Sequence, residues 1–516
     1  MHTVRVLGAC LAGTGAEIIT VEARFDRREK ERTEVVITGL PDPVLRESRG
    51  RLVCALEASG LHVPRGRLFL NLVPAAKRKS GEVLDLPIAL GAAAACGHMD
   101  HRALENSLFL GEVGIDGALH AVPGGLSVAL AAVAHGVKRL FAPPATAREA
   151  AWIEGIEVFG ARHIEDVIAH LCGADPGLER LRCPDQESEA ALAAALGANA
   201  APRESLDDVR GQYAGKLALA VAAAGGHGLL FIGPPGAGKS LLARRLGGLA
   251  GMPDRREQLE ITRVLSAAGM WPGGLATERP FRAPHHTISY AGLVGGGSPP
   301  QPGEITLAHC GVLFLDELPE FRREALEALR QPMESGTVLI SRATQRIELP
   351  AGFQLVAAMN PCPCGYRGHP RIPCHCSPMV VQRYRQRISG PLLDRIDLCV
   401  ALDVPSVDEL CAAPGPERGP THEQWRLRVD RARMRMRARQ VPARNSSLDG
   451  AQLERVVPLA GEARSMLTRA AQARGLSARA VQSLRRVART LADLDEAGAL
   501  EPKHFAQALG LRAPII

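Results

Sequence analysis

Apolar and polar positions change rhythm along the chain, and each change marks a different kind of structure. Over the first third, short runs rich in β-branched and aromatic residues, "EVVITGL" (34–40), "RLFLNLVP" (67–74), "SLFLGEVG" (107–114) and "RLFAPP" (139–144), read as strands. Alanine-rich stretches at 87–96 and 126–135 read as helices between them. The pattern predicts an α/β or α+β domain over residues 1–172. Residues 173–204 mix glycine, proline, acids and small side chains, so a linker with a short helix inside it is expected there. From 205 to 405 the apolar runs "GLLFIG", "GVLFLDE" and "FQLVAAMN" are near-continuous and separated by helical patterns, the signature of a parallel sheet buried on both faces. Beyond "APGPERGP" only helical periodicity remains, which predicts an all-helical domain over 406–516.

Composition narrows this picture. At 516 residues the chain exceeds what one hydrophobic core serves, in keeping with several domains. Twelve cysteines in so long a chain are not a disulfide framework. No leader pattern opens the sequence and no apolar run is long enough to span a bilayer, so a cytoplasmic protein with reduced thiols and no membrane partner is expected. The net charge of +7 is uneven: residues 421–516 hold 18 Lys and Arg against 9 Asp and Glu. That surplus is open between a polyanionic partner such as nucleic acid and an ordinary solvated helical surface.

The most specific chemistry lies in "GPPGAGKS". After an apolar strand, Gly233, Pro234, Pro235, Gly236, Ala237 and Gly238 form a loop whose backbone N–H groups wrap phosphate. Lys239 then reaches the β and γ phosphates and Ser240 ligates Mg²⁺, so ATP and Mg²⁺ are the implied cofactors. The run "GVLFLDE" delivers Asp316 and Glu317 to a strand end, Asp316 to orient hydrated Mg²⁺ and Glu317 to polarise the attacking water. Alone, such a pair equally starts a helix. Asn360, closing "FQLVAAMN", is placed to contact the γ-phosphate or the lytic water, with a buried capping Asn as the plain alternative.

With "FRAPHHTISYAGLVGGG", "HCGVLFLDELPEF", "LRQPMESGTVLISRA", "AAMNPCPCGY", "GPLLDRIDL" and "LSARAVQSLRRVARTLADL", the chain resembles the magnesium-chelatase-like branch of the AAA+ ATPases, in its ComM and YifB group. The resemblance implies that Asn360 is sensor 1, Arg395 the arginine finger and Arg479 the sensor 2 arginine, all catalytic with Lys239, Asp316 and Glu317. On the residues alone, Arg395 is as readily an ion-pair partner of Asp394 or Asp397. A finger acts on the neighbouring subunit's nucleotide, so the resemblance implies a ring, a homo-hexamer. It also implies an extra loop after the second helix within residues 281–311 and a hairpin, "TVLISRATQRIEL", whose Arg342 and Arg346 are candidates for DNA phosphate contacts or plain solvated charge. His285 and His286 are pore or nucleotide-adjacent residues, or simple loop residues.

Residues 422–440 predict an arginine-rich helix on which Arg428, Arg431, Arg435 and Arg439 form one stripe, a DNA-facing surface or the charged outside of the helical domain. Cys362 and Cys364, with Cys374 and Cys376 after a nine-residue loop, supply four thiolates for a structural zinc, with His369 or His375 as substitute ligands and free thiols as the alternative. Four sulfurs leave no open coordination position, so the expected role is a scaffold.

The stretch "GEVGIDGALHAVPGGLSVALAAVAHGVKRLFAPP" resembles the Lon-type proteolytic fold, in which a lysine activates a serine. Ile88 and Ser127 stand where those two groups would be, so a Lon-like domain without peptidase activity is expected. The function implied is an ATP-driven ring motor, a helicase acting on single-stranded and branched DNA in branch migration during natural transformation, with recombination proteins as further partners. YifB keeps open a housekeeping recombination role. The rivals are a chelatase-type motor that remodels a partner protein and a DNA-binding protein with a degenerate nucleotide site.

Overall fold

The computed structural model describes residues 3–27, 33–39, 43–74, 82–185, 204–297, 301–342, 345–406, 408–409, 419–459 and 461–513. Its amino-terminal part is built on an eight-stranded mixed sheet in the order Glu179–Leu181, Glu157–Gly160, Arg139–Ala142, Ser107–Phe109, Val4–Ala12, Gly15–Asp26, Arg67–Val73, Glu34–Thr38. The alanine-rich stretches are the helices Asp85–Ala95 and Gly125–Ala134, and the first is buried along its whole length except its last residue. The antiparallel hairpin of Val4–Ala12 and Gly15–Asp26 was not among the strands expected, because its apolar positions are broken by Gly8, Gly13 and Gly15. The strand Glu179–Leu181 pairs with Glu157–Gly160 inside the stretch expected to be linker. The short helix expected further along that stretch falls at 186–203, outside the described residues.

The second sheet is five-stranded and wholly parallel, ordered Phe281–Arg282, Val312–Leu315, Gln354–Met359, Leu229–Ile232, Leu398–Ala401. All six residues of Gln354–Met359 and all four of Val312–Leu315 are buried, which is why these runs carry no polar alternation. Phe281–Arg282 pairs with Val312–Leu313, so the segment expected to be an insert begins as an edge strand of the sheet. The hairpin Thr337–Arg342 with Gln345–Pro350 projects from it, joined in antiparallel register.

Helices alone follow from His422–Arg439 to Pro502–Gly510, and their apolar faces share one core with the parallel sheet. The two parts also meet. Leu259, Trp271 and Leu275 of the second part pack into the core of the first, and Ser266 donates to the buried Glu149 carboxylate. A Cβ on Gly13, at the tip of the first hairpin, would lie 2.6 Å from side-chain atoms of both Ile347 and Leu349, so the projecting hairpin rests on that turn. Among the described residues no helix is long and apolar enough to cross a membrane.

Candidate functional site

The carboxyl edge of the parallel sheet gathers the residues singled out for nucleotide chemistry. Leu229–Ile232 ends at Gly233, and Gly236 and Gly238 take the left-handed φ of +83° and +84° that turns the loop back onto the helix opened by Lys239. Gln212 holds this loop from outside, its Nε2 donating to the Ala237 carbonyl (3.0 Å) and the Asp403 carbonyl (2.6 Å). Lys239 is buried, and its Nζ donates to Gly233 O (2.6 Å), Pro234 O (3.0 Å) and Asn360 Oδ1 (3.0 Å). Burial pushes its ammonium below the usual lysine range, against the pull of Asp316 and Glu317.

Val312–Leu315 is two strands away and ends at the same edge. Ser240 Oγ donates to Asp316 Oδ2 (2.6 Å), and the Glu317 backbone N–H donates to Asp316 Oδ1 (2.9 Å). A hydroxyl and a carboxylate side by side form the hard-oxygen donor set that suits Mg²⁺. Glu317 adopts φ +52°, rare for a residue with a Cβ, and this turns its side chain out of the strand direction. Its Oε2 lies 3.4 Å from Nδ1 of His286, whose ring stacks on His285 at 4.1 Å between centroids. His286 therefore lies beside the acidic pair.

Arg395 and Arg479 lie elsewhere. Leu398 pairs with Leu229 in parallel register, so Arg395 leaves the chain at the amino edge, opposite the phosphate loop, separated by a strand of about 13 Å. A Cβ on Gly228 would indeed meet Arg395 O at 3.5 Å. Neither Asp394 nor Asp397 is the Arg395 partner; its guanidinium donates to Pro391 O and to Glu334 Oε1. Arg479 reaches the same oxygen at 2.7 Å, and hydrogen bonding from Arg479, with the charge of Arg395, holds the Glu334 carboxyl below its usual range. Asp397 is taken instead by His227 (2.9 Å) and Ser483 (2.5 Å). Glu334, His227, Gln212 and Ser483 had no sequence signal beyond their residue types; only the tertiary contacts bring them in.

The tetracysteine loop begins two residues after Asn360. Cys362 Sγ lies 3.3 Å from Cys364 Sγ and 3.6 Å from Cys374 Sγ, Cys364 and Cys374 are 3.6 Å apart, and all four sulfurs lie within 4.8 Å of one another. Four thiolates at about 2.3 Å around one tetrahedral zinc stand roughly 3.8 Å apart, so this set fits the ion. Hydrogen bonding from the Tyr366 backbone and from the neighbouring thiols brings the Cys364 thiol down to about 6, while burial raises that of Cys362 beside it. His369 is no substitute ligand in this arrangement: its Nδ1 accepts from the N–H groups of Arg371 (3.1 Å) and Ile372 (2.9 Å), within the loop.

Glu260, His309 and Cys310 also come together within 4.8 Å. Here the tautomer argues against a metal. His309 Nδ1 accepts from Gly352 N–H (2.9 Å), which leaves the proton on Nε2, the atom aimed at Glu260 (3.1 Å). Burial pushes the Cys310 thiol up to about 12, away from the thiolate a metal needs.

Three of the four stripe arginines have partners within the helical domain. Arg439 makes a two-pronged contact with Asp493 (2.6 and 2.8 Å), Arg431 pairs with Glu496 (2.8 Å), and Arg428 lies over the Trp425 ring at 5.4 Å. Arg433, between them, donates to the carbonyls of Ala223 and Ala250 at the ends of two helices. On the hairpin Arg346 is exposed, whereas the side chain of Arg342 lies outside the described residues. In the amino-terminal part Ile88 is buried, and the buried Ser127 donates its hydroxyl to Thr14 O (2.8 Å).

A parallel sheet of this order, with a glycine-rich loop, a lysine and an acidic pair at one edge and a helical bundle after it, defines a P-loop protein of the AAA+ type. Family models place it more closely: "magnesium chelatase, subunit ChlI" matches residues 205–410, "subunit ChlI of Mg-chelatase" residues 21–146, and "magnesium chelatase, subunit ChlI C-terminal" residues 419–512. The chain is 39% identical to the YifB protein of Escherichia coli over 508 residues, 97% of this chain and 95% of that protein. It is 38% identical to competence protein ComM of Haemophilus influenzae over 509 residues, 98% and 96% of the two chains. The chain belongs to the magnesium-chelatase-like AAA+ family, in its ComM and YifB group.

Proposed function

We propose that this protein is an ATP-hydrolysing ring motor that moves on single-stranded and branched DNA and promotes branch migration, with a ComM-like role in competence. The observation that carries the ATPase is the meeting at one sheet edge of three hydrogen bonds, Lys239 to Asn360, Ser240 to Asp316 and the Glu317 N–H to Asp316. In this reading the loop Gly233–Gly238 and Lys239 bind the phosphates. Ser240 and Asp316 would hold Mg²⁺, which neutralises charge on the β and γ phosphates. Glu317 polarises the attacking water and Asn360 orients it.

Arg395 and Arg479, both at the edge of the sheet away from their own phosphate loop, would complete the site of a neighbouring subunit. That geometry supports a homo-oligomer, and the family supports a hexamer. The DNA substrate rests on the likeness to ComM and on the exposed Arg346. The four cysteines would hold a structural zinc. The amino-terminal part, read as a Lon-like fold, carries no peptidase pair at Ile88 and Ser127 and would serve assembly or DNA contact.

The test is ATP hydrolysis by wild type and Glu317→Gln, with and without single-stranded and branched DNA, at two salt concentrations. DNA stimulation that fades with salt and is lost in the variant is expected. Hydrolysis indifferent to every DNA would instead favour a chelatase-type motor that remodels a protein.

A further inference from the structure

The tetracysteine loop touches the phosphate loop directly. Gly365, one residue after Cys364, has φ +84°, and a Cβ there would lie 2.9 Å from Cδ and 3.0 Å from Cγ of Pro235. No larger residue fits without displacing one loop or the other. The Gly365 N–H donates to Cys362 O (3.0 Å), so the turn that meets Pro235 is the turn that carries the first two sulfurs.

Both ends of the cysteine loop return to Asn360. At the start, Asn360 accepts from Lys239 Nζ and is followed two residues later by Cys362, which is fully buried. At the finish, Cys376 runs into Ser377, which caps the helix Pro378–Arg385, and the Tyr384 hydroxyl of that helix lies near the Asn360 backbone. The chain thus closes a circuit from Asn360 through the four sulfurs and back. Among the described residues, beyond the loop 365–373 itself, the sulfur cluster joins the two C-x-C arms in the middle of that circuit.

We propose that metal occupancy of the Cys362, Cys364, Cys374 and Cys376 cluster sets the nucleotide affinity of the same subunit, through Gly365 on Pro235 and Asn360 on Lys239. This rests on the reading of a structural zinc and of a phosphate-binding loop. With the metal in place the Gly365 turn is a rigid wall behind Pro235, and the loop N–H groups keep the conformation that receives phosphate. Without it the two arms separate, the wall loosens, and ordering it falls to the nucleotide. Because binding linkage is reciprocal, nucleotide must in turn tighten the metal.

The experiment uses the full-length protein. Zinc content by atomic absorption and affinity for mant-ADP are measured first: no zinc in protein purified without chelator removes the zinc reading, and no mant-ADP binding removes the phosphate-loop reading. With both present, the rate at which pyridylazo-resorcinol strips zinc from wild type is measured with and without ADP. Stripping slowed about tenfold by ADP, and not slowed in Lys239→Ala, is the expected coupling. Gly365→Ala is expected to retain zinc while binding mant-ADP about tenfold more weakly. Stripping rates indifferent to ADP in wild type, or a Gly365→Ala protein with unchanged nucleotide affinity, would overturn the coupling while leaving both sites intact.

Discussion

Arg395 and Arg479 hold the same carboxylate oxygen of Glu334, at the amino edge of the sheet whose carboxyl edge carries Lys239. One is expected as a finger and the other as a sensor, yet they meet on one carboxylate, Arg479 half-exposed and Arg395 largely covered. If that edge faces a neighbour, each arginine serves a nucleotide held by another chain. Arg395→Ala or Arg479→Ala should then lower hydrolysis by about a thousandfold while leaving mant-ADP affinity nearly unchanged. Mixing inactive Arg395→Ala with inactive Glu317→Gln subunits should restore hydrolysis, because some interfaces pair an intact arginine with an intact glutamate. A mixture as dead as its components would show that both groups act within one chain.

If Glu317 polarises the attacking water, His286 is a second point of control. Its Nδ1 stands 3.4 Å from Glu317 Oε2, and the backbone of Glu317 is fixed at φ +52°, so side-chain rotation is the freedom left to that carboxylate. His286 holds it toward the insert that begins at Phe281–Arg282, away from the strand end. His286→Ala is expected to raise DNA-independent hydrolysis a few-fold and to shrink stimulation by DNA. An unchanged ratio of stimulated to basal rate would make His286 a bystander.

How far these groups could be read from sequence follows from how local their signals are. Lys239, Ser240, Asp316, Glu317 and Asn360 each follow an uninterrupted apolar run, and such runs become buried parallel strands whose ends meet at one edge. The strand Leu398–Ala401 passed unread because its run is short and bracketed by Asp397 and Asp403. Glu334 and His227 carry no local pattern: a half-exposed carboxylate and a histidine before a strand become meaningful only when distant helices bring Arg479 or Thr490 to them. The arginine stripe stayed open between two readings for the opposite reason. Helical spacing places Arg431 and Arg439 on one face, but says nothing of the carboxylates, Glu496 and Asp493, that the fold sets opposite them.

That difference between kinds of arginine is testable on DNA. Arg346 is exposed on the hairpin, whereas Arg439 is bound to a buried carboxylate. If the hairpin contacts phosphate, Arg346→Ala should weaken binding to all sequences alike and reduce the slope of log affinity against log salt by about one. Arg439→Ala should leave the slope unchanged and loosen the helical domain. An altered slope for Arg439→Ala with normal stability would return the stripe to the DNA-facing surface.

Asp493 is the centre of that helical domain's attachment. It is fully buried and accepts from Arg439, Arg489 (2.7 Å) and Asn445 (3.0 Å), while Asn445 also reaches Thr490, which meets His227 at the foot of the phosphate-loop strand. Burial would raise the Asp493 carboxyl, but hydrogen bonds from Arg439 and Arg489 outweigh it and hold the group below the usual range. Asp397, bonded to His227 and Ser483 and facing Arg486, is lowered in the same way. A carboxyl with a depressed folded value stabilises the native state above its unfolded value, about 3.9, and loses that contribution as pH falls through the folded value. Docking of the helix Ala478–Leu494 should therefore be insensitive to pH from neutrality down to about 4 and weaken below it. Asp493→Asn leaves the buried Arg489 without its counter-charge and should cost about 3 to 5 kcal/mol at neutral pH. Because a chain of several cores need not unfold in one step, hydrogen exchange along Ala478–Leu494 is the suitable measurement. Protection equal to wild type in the Asn variant would mean that apolar packing around Leu484 and Leu491, and not the buried ion pairs, holds the helices to the sheet.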